Sequence, residues 1–197
     1  MDARTIAAYD LHASSFAADW EEGQAAPDDL RAVVQRYFRS AGLTADVGCG
    51  SGRDTAWLAK NGFPAIGIDP SHGLLEEAAR RHPGVRFQRS ELPGLGGLAD
   101  STFANVLCET VIMHLDPGII ATSVRRLVAL LEEDGVLYLS WRVTEGSSRR
   151  DDQGRLYAAF DRSLVDAALL NSRIELDERV VSASSGKAVH RIVARKT

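Results

Sequence analysis

The sequence predicts an α/β fold: a seven-stranded, mostly parallel sheet with helices on both faces and a C-terminal antiparallel hairpin. Three observations carry this expectation. From Ala45 onward, short apolar runs alternate with amphipathic stretches. That rhythm belongs to strand–helix–strand crossovers, which are right-handed and build parallel sheets. Near the end, "RIELDERVVSAS" and "KAVHRIVARK" alternate around "SG", which predicts two antiparallel strands. The chain of 197 residues is 45% hydrophobic and 25% charged, an ordinary globular composition. A chain of that length buries roughly 70% of its unfolded surface and needs no metal or disulfide staple.

Taken in order, residues 3–20 and 28–40 read as two amphipathic helices linked by "EEGQAAPDD". They are expected to form an N-terminal helical cap over 1–42, with 43–197 as the main domain of one compact unit. Parallel strands are expected at "TADV" (44–47), "AIGID" (65–69), "VRFQ" (85–88), "FANVLCE" (103–109) and "GVLYLSW" (135–141). Helices are expected at 54–61, 71–81 and 118–131. Ser71 is placed as an N-cap, with Pro83-Gly84 beyond the end of its helix. Asp116 caps the next helix with Pro117 in its first turn, and Gly135 is expected to take the left-handed position after its end. The polar stretch "EGSSRRDDQG" (145–154) reads as a mobile loop.

The bulk properties narrow the partners. A net charge of -4 argues against nucleic acid, because a phosphate backbone requires a basic stripe. No window approaches the roughly 18 apolar residues of a membrane span, and no apolar leader follows a charged start. Two cysteines, Cys49 and Cys108, offer no paired framework and read as reduced thiols. Cytoplasmic residence, no membrane or metal, and a monomer or homodimer are expected.

The stretch "ADVGCGSGRD" carries the chemistry. A strand ending at Val47 runs into Gly48-Cys49-Gly50-Ser51-Gly52 and then a helix. Glycine makes the turn tight, admits a ligand to the backbone and starts the helix close to the sheet. The dinucleotide fingerprint G-x-G-x-x-G would put its third glycine at Arg53, so the spacing departs from it. No Lys-Ser/Thr pair follows, so the loop is not a phosphate-binding P-loop. Asp46 and Asp54 flank the loop and would repel a pyrophosphate. Asp69 ends the second strand, where an acid accepts hydrogen bonds from ribose hydroxyls. A ligand with a ribose, a positive end and no phosphate fits these residues, and S-adenosylmethionine is such a ligand.

"DVGCGSGRD" followed by "GIDPS" resembles the cofactor-binding core of class I S-adenosylmethionine-dependent methyltransferases, a Rossmann-like family. "LCETVIMHL" and "LLEEDGVLYLSWR" resemble the fourth-strand and fifth-strand segments of the small-molecule branch. The resemblance covers roughly residues 44–142. It implies that Asp46, Gly48, Cys49, Gly50, Gly52 and Arg53 surround the methionine half of the cofactor. It implies that Asp69 holds the ribose, while Pro70 and Ser71 lie along the adenosine. Relatives read the adenine amino group with an acid after the third strand. Ser90 stands there in this sequence, which leaves Glu91 or the backbone of Ser90 to Leu92 for that contact. Glu109 and Thr110 would lie under the methyl group.

The activity so implied is methyl transfer to a small acceptor at N, O or S, by in-line displacement, with S-adenosylhomocysteine as product. Positioning alone supplies much of the barrier reduction, so no base is obligatory. For an acceptor that must lose a proton, His114, Glu109 and His12 are candidate bases; His114 also reads as a packed structural residue. Tyr9, His12, Phe16 and Trp20 recur at helical spacing, either as a lid over the cofactor or as a face packed on the sheet. Met113 and Arg142 belong to the acceptor rim. Arg142 is either a carboxylate anchor or a solvated strand-end charge. Two other functions remain open on sequence alone: a non-catalytic module holding S-adenosylmethionine or S-adenosylhomocysteine, and a nicotinamide-dependent oxidoreductase.

Overall fold

The computed structural model describes residues 1–197. Thr44–Val47 (β1) and Phe103–Cys108 (β4) are buried at every position, as strands covered on both faces must be. Around them lie Ala65–Asp69 (β2), Arg86–Arg89 (β3), Leu131–Arg142 (β5), Ser172–Val181 (β8) and Ala188–Lys196 (β9). The sheet order is β3-β2-β1-β4-β5-β9-β8. The first five strands are parallel, and β9 pairs antiparallel with both β5 and β8. The seven-stranded sheet and its C-terminal hairpin match the sequence expectation.

Side chains alternate along each strand, so the sheet feeds two cores. Leu107, Val136, Tyr138 and Val193 join Leu30, Val33 and Val34 of Asp28–Tyr37 (α3) and Leu58 of Arg53–Lys60 (α4). Val106, Leu137, Leu139 and Ile192 join Ile120, Val124 and Leu127 of Pro117–Leu130 (α6) on the other face. Helix α6 starts as expected: the Asp116 carboxylate accepts from Gly118 N, and Pro117 fills the first turn. In His72–Arg81 (α5), Ser71 Oγ accepts from Leu74 N.

Four expectations need correction. The first predicted helix is broken into Ala3–Leu11 (α1), Ala13–Ala18 (α2) and a π-turn at Asp19–Gly23. These segments pack on α5, whereas α3 is part of the second core. The region 1–42 is thus two structures: a cap over 3–23 and a sheet-packing helix. Helix α6 stops at Leu130, because Leu131 already pairs with Phe103 of β4. The left-handed residue beyond it is Asp134 (φ 61°), not Gly135. Gly135 is needed for space: a Cβ there would lie 2.8 Å from the Glu132 carbonyl oxygen. Finally, 145–154 contains one strand of a small hairpin, Arg149–Arg150 (β6) with Leu156–Tyr157 (β7). Two ion pairs, Arg150–Asp2 at 2.8 Å and Arg155–Asp151 at 2.7 Å, pin it. Beyond it lies a short helix, Ser163–Asp166 (α7). No helix is long and apolar enough to cross a membrane.

Candidate functional site: a cleft at the carboxyl edge of the sheet

The strand order reverses between β1 and β4, and the loops leaving them diverge into a cleft, the usual ligand position on an open α/β sheet. The three loop glycines have positive φ, +80° at Gly48, +55° at Gly50 and +83° at Gly52, but they serve different ends. A Cβ on Gly48 would lie 2.2 Å from Val111, and one on Gly52 would lie 2.6 Å from Phe87. Those two glycines let the loop pack against the protein itself. Gly50 faces the cleft, where a Cβ would lie 2.7 Å from the Trp20 ring.

One wall of the cleft is acidic. Asp69 accepts from Gly50 N at 3.0 Å with one carboxylate oxygen and from Ser71 N at 2.9 Å with the other. Each oxygen keeps capacity for a hydroxyl donor. Burial pushes the Asp69 pKa up to about 6, against the pull of those two amides. Asp46 accepts from Thr55 Oγ at 2.6 Å, and burial raises it to about 8. At neutral pH Asp46 therefore mostly keeps its proton, so it is not the second flanking charge the sequence suggested. Asp54 is paired with Arg53 at 3.1 Å. Glu109 accepts from Ser140 Oγ, and burial lifts it to about 7. Its neighbour Thr110 has φ 53°, a strained state for a β-branched residue, with its N–H donating to Ser140 Oγ at 3.0 Å. Burial raises the Cys49 thiol, so it stays protonated.

The other wall is aromatic and basic. His114, in the 3₁₀ turn Ile112–His114, is 3% exposed. Its Nδ1 lies 2.5 Å from the Leu156 carbonyl, an acceptor, so Nδ1 carries the proton. Nε2 is then bare and accepts from Tyr9 Oη at 3.0 Å. Burial drives His114 down to about 4 and Tyr9 up to about 12, so both are neutral at physiological pH. Tyr9, Phe16 and Trp20 form one aromatic cluster, with Phe16 stacked on Trp20 at 5.5 Å. Arg53 Nη1 donates to the Trp20 carbonyl at 2.9 Å, which ties the cap to the glycine loop. Met113 lies beside Arg142, whose backbone N–H points at its sulfur at 3.4 Å.

The remaining predicted site residues lie elsewhere. His12 sits at the α1–α2 break, faces Phe16 at 6.3 Å and is outside the cleft, so it is not placed as a base. Pro70, Ser90, Glu91 and Leu92 line an adjoining groove. There Glu91 and the Leu92 carbonyl accept from the Met1 nitrogen at 3.0 and 2.8 Å. Ser71 is an N-cap that also bonds Asp10 at 2.7 Å. The sequence reading missed Gln24, Ser51, Arg155, Tyr157 and the serines of the β8–β9 turn (Ser182, Ser184, Ser185), all of which line the cleft. The serine-rich "SASSG" and the arginine within the polar 145–157 stretch were the available signals.

The acidic wall suits a nucleoside with a positive end. Ser51 Oγ, buried in the glycine loop, has no hydrogen-bond partner within the protein, a vacancy a polar ligand group would fill. Comparisons with known proteins agree. A methyltransferase-domain family model matches residues 45–135. Trans-aconitate 2-methyltransferase of Afipia carboxidovorans is 36% identical over 115 residues, 55% of this chain and 41% of that protein. Its Deinococcus radiodurans counterpart is 32% identical over 123 residues, 60% and 44% respectively. The chain thus spans less than half the length of these curated relatives. The crystal structure of Burkholderia thailandensis 1,6-didemethyltoxoflavin-N1-methyltransferase with bound 1,6-didemethyltoxoflavin and S-adenosylhomocysteine is 25% identical. It aligns over 100% of this chain and 92% of that one with a TM-score of 0.72. The glycine loop, the strand order and these matches agree: residues 45–135 match the methyltransferase-domain family, and the sheet built around them has the fold of the S-adenosylmethionine-dependent methyltransferases.

Proposed function

We propose that this chain transfers a methyl group from S-adenosylmethionine to a small-molecule acceptor in the cleft. The observation that carries this reading is the acidic wall at the topological switch point: Asp69 and Glu109 beside a backbone-rich loop holding an unpartnered Ser51 hydroxyl. When bound, the cofactor supplies an electrophilic methyl on a positively charged sulfur. Asp69 has the free oxygen lone pairs to take ribose hydroxyls. The loop at 48–52 offers backbone to the amino-acid end, and Glu109 and Thr110 form the floor between cofactor and acceptor. Pro70 and the groove at Ser90–Leu92 lie where the adenosine would extend. The cap residues Tyr9 and Trp20 exclude water, which keeps the electrostatics of the site strong.

His114 contributes less as a free base than the sequence suggested. Its basic nitrogen is already engaged by Tyr9 and its pKa is low, so a proton leaving an acceptor reaches it only through the Tyr9 hydroxyl. Orientation of the acceptor is the larger contribution, several kcal/mol of a ceiling of about 7–11 for proximity effects. The small acceptor class rests on the size of the cleft between the cap and the glycine loop.

The test is a thermal-shift panel of S-adenosylmethionine, S-adenosylhomocysteine, NAD, NADP and ATP. A ligand at about 100 times its Kd adds roughly 2.7 kcal/mol. For a domain of this size, that shift is about 5–11 °C. A shift with only the two sulfur ligands is expected; a shift with NAD or NADP alone would refute the reading.

A further inference from the structure

The charges of the cleft are segregated along the sheet edge. Asp69 and Glu109 stand at the ends of β2 and β4. At the β5 end stand two arginines, Arg142 and Arg155. Arg155 is neutralised: its Nε and Nη2 both reach Asp151 Oδ2 at 2.7 Å, and its guanidinium lies 4.6 Å from the Phe16 ring. Arg142 has no counter-ion. Its side chain has one polar neighbour, Tyr157 Oη at 3.5 Å from Nη1, and its guanidinium lies 5.7 Å from the Tyr157 ring. Its Nε is buried with no partner at all. A guanidinium drawn partly out of water without a carboxylate is costly to hold, and a fork of donors is shaped for a planar oxyanion.

Building on the methyltransferase reading, we propose that the acceptor carries a carboxylate, received at the β5 end of the cleft by Arg142. The surrounding groups suit that role. Tyr9 Oη donates its hydrogen to His114 Nε2, so neither group competes for Arg142. The hydroxyls of Ser182, Ser184 and Ser185 supply donors from the facing turn. The charge count favours a carboxylate over a phosphate monoester. His114 is neutral and Arg155 is cancelled by Asp151, which leaves one positive charge for one negative charge. Arg142 is then the anchor that sets acceptor specificity, and the acids at the other end keep an anionic acceptor from entering the cofactor half.

The experiment uses the full chain with tritiated S-adenosylmethionine and a small-molecule extract separated by ion exchange into acidic, neutral and basic pools. Binding of S-adenosylhomocysteine is measured in parallel by calorimetry. Label should enter components of the acidic pool, and phosphatase treatment of that pool beforehand should not remove it. Arg142→Gln should cut that incorporation at least tenfold at limiting pool concentration and Arg142→Lys should restore part of it. Both variants should bind S-adenosylhomocysteine within twofold of wild type. Label only in the neutral or basic pools, or in no pool while S-adenosylhomocysteine binds, overturns the proposal. Loss of label after phosphatase overturns the carboxylate in favour of a phosphate. A tenfold loss of S-adenosylhomocysteine binding in Arg142→Gln overturns it in another way, by making Arg142 an anchor for the cofactor's own carboxylate. Failure of wild type to bind S-adenosylhomocysteine removes the methyltransferase reading itself, and this proposal with it.

Discussion

The two walls of the cleft are made in opposite ways. The glycine-loop wall comes from neighbours in sequence, 46–54, with Asp69 and Glu109 joining at adjacent strand ends. Its polar groups are fixed by backbone and by one another. The cap wall is gathered from distant segments: Tyr9 and Trp20, His114, Arg142, the 155–157 strand and the 182–185 turn. Contacts such as Tyr9–His114, 105 positions apart, hold it together. A local wall keeps its geometry with little tolerance, whereas an assembled wall can vary one segment at a time; on the function proposed above, the first would hold the cofactor and the second would choose the acceptor.

The comparison breaks most visibly if the local wall tolerates change. Gly48→Ala combines a positive φ with a 2.2 Å clash at Val111. It should destabilise the protein by about 3 kcal/mol or more, so chemical denaturation should show a clear fall in midpoint. A midpoint unchanged from wild type would mean that the loop is not packed as described.

Buried acids of the same wall predict a pH dependence. The unfolded chain ionises Asp46 near its ordinary value, while the native protein keeps that proton up to about 8. The native state thus binds more protons, and stability falls as pH rises through that window. Glu109, at about 7, acts in the same direction. His114, held down to about 4, acts oppositely, but only below its ordinary pKa of 6.5. Between pH 6.5 and 8 the acids therefore dominate, and Asp46 contributes a loss of roughly 2 kcal/mol. Asp46→Asn should flatten the Tm-against-pH curve in that interval and leave pH 5 little altered. An equally steep curve in the variant would show that Asp46 is ionised in the native state.

Asp69→Ala tests the same wall through its ligand. Losing hydrogen bonds to a charged group should weaken S-adenosylhomocysteine binding by about 1.5–3 kcal/mol, measured by calorimetry on folded variant. Wild-type affinity would move the ribose elsewhere. The smallest effect belongs to the assembled wall. Tyr9→Phe removes one buried hydrogen bond, about 1 kcal/mol of stability. It also frees His114 Nε2, so the imidazole titration followed by NMR should move up from about 4, with cofactor affinity unchanged. A stationary titration would mean that the Tyr9 contact does not hold the neutral ring.

What could be read from the sequence follows the same division. Strand-to-helix rhythm, the caps at Ser71 and Asp116 and the glycine loop are local, and the structure holds them where expected. The break at His12 was hidden because Tyr9, His12, Phe16 and Trp20 keep perfect helical spacing while the backbone does not. The strand pairing at Arg149–Arg150 left no local signal because the segment leans on Asp2, 148 positions away. Arg155, Tyr157 and the turn serines have no local motif; only the return of the chain over β5 makes them neighbours of Arg142.

Trp20 and Tyr9 belong to one aromatic cluster, yet one covers Gly50 and the other holds His114. A displacement of this cluster would therefore alter the glycine-loop wall and the His114 wall together. On the methyltransferase reading proposed above, this coupling predicts an ordered kinetic sequence, donor first and acceptor second, which product-inhibition patterns would check.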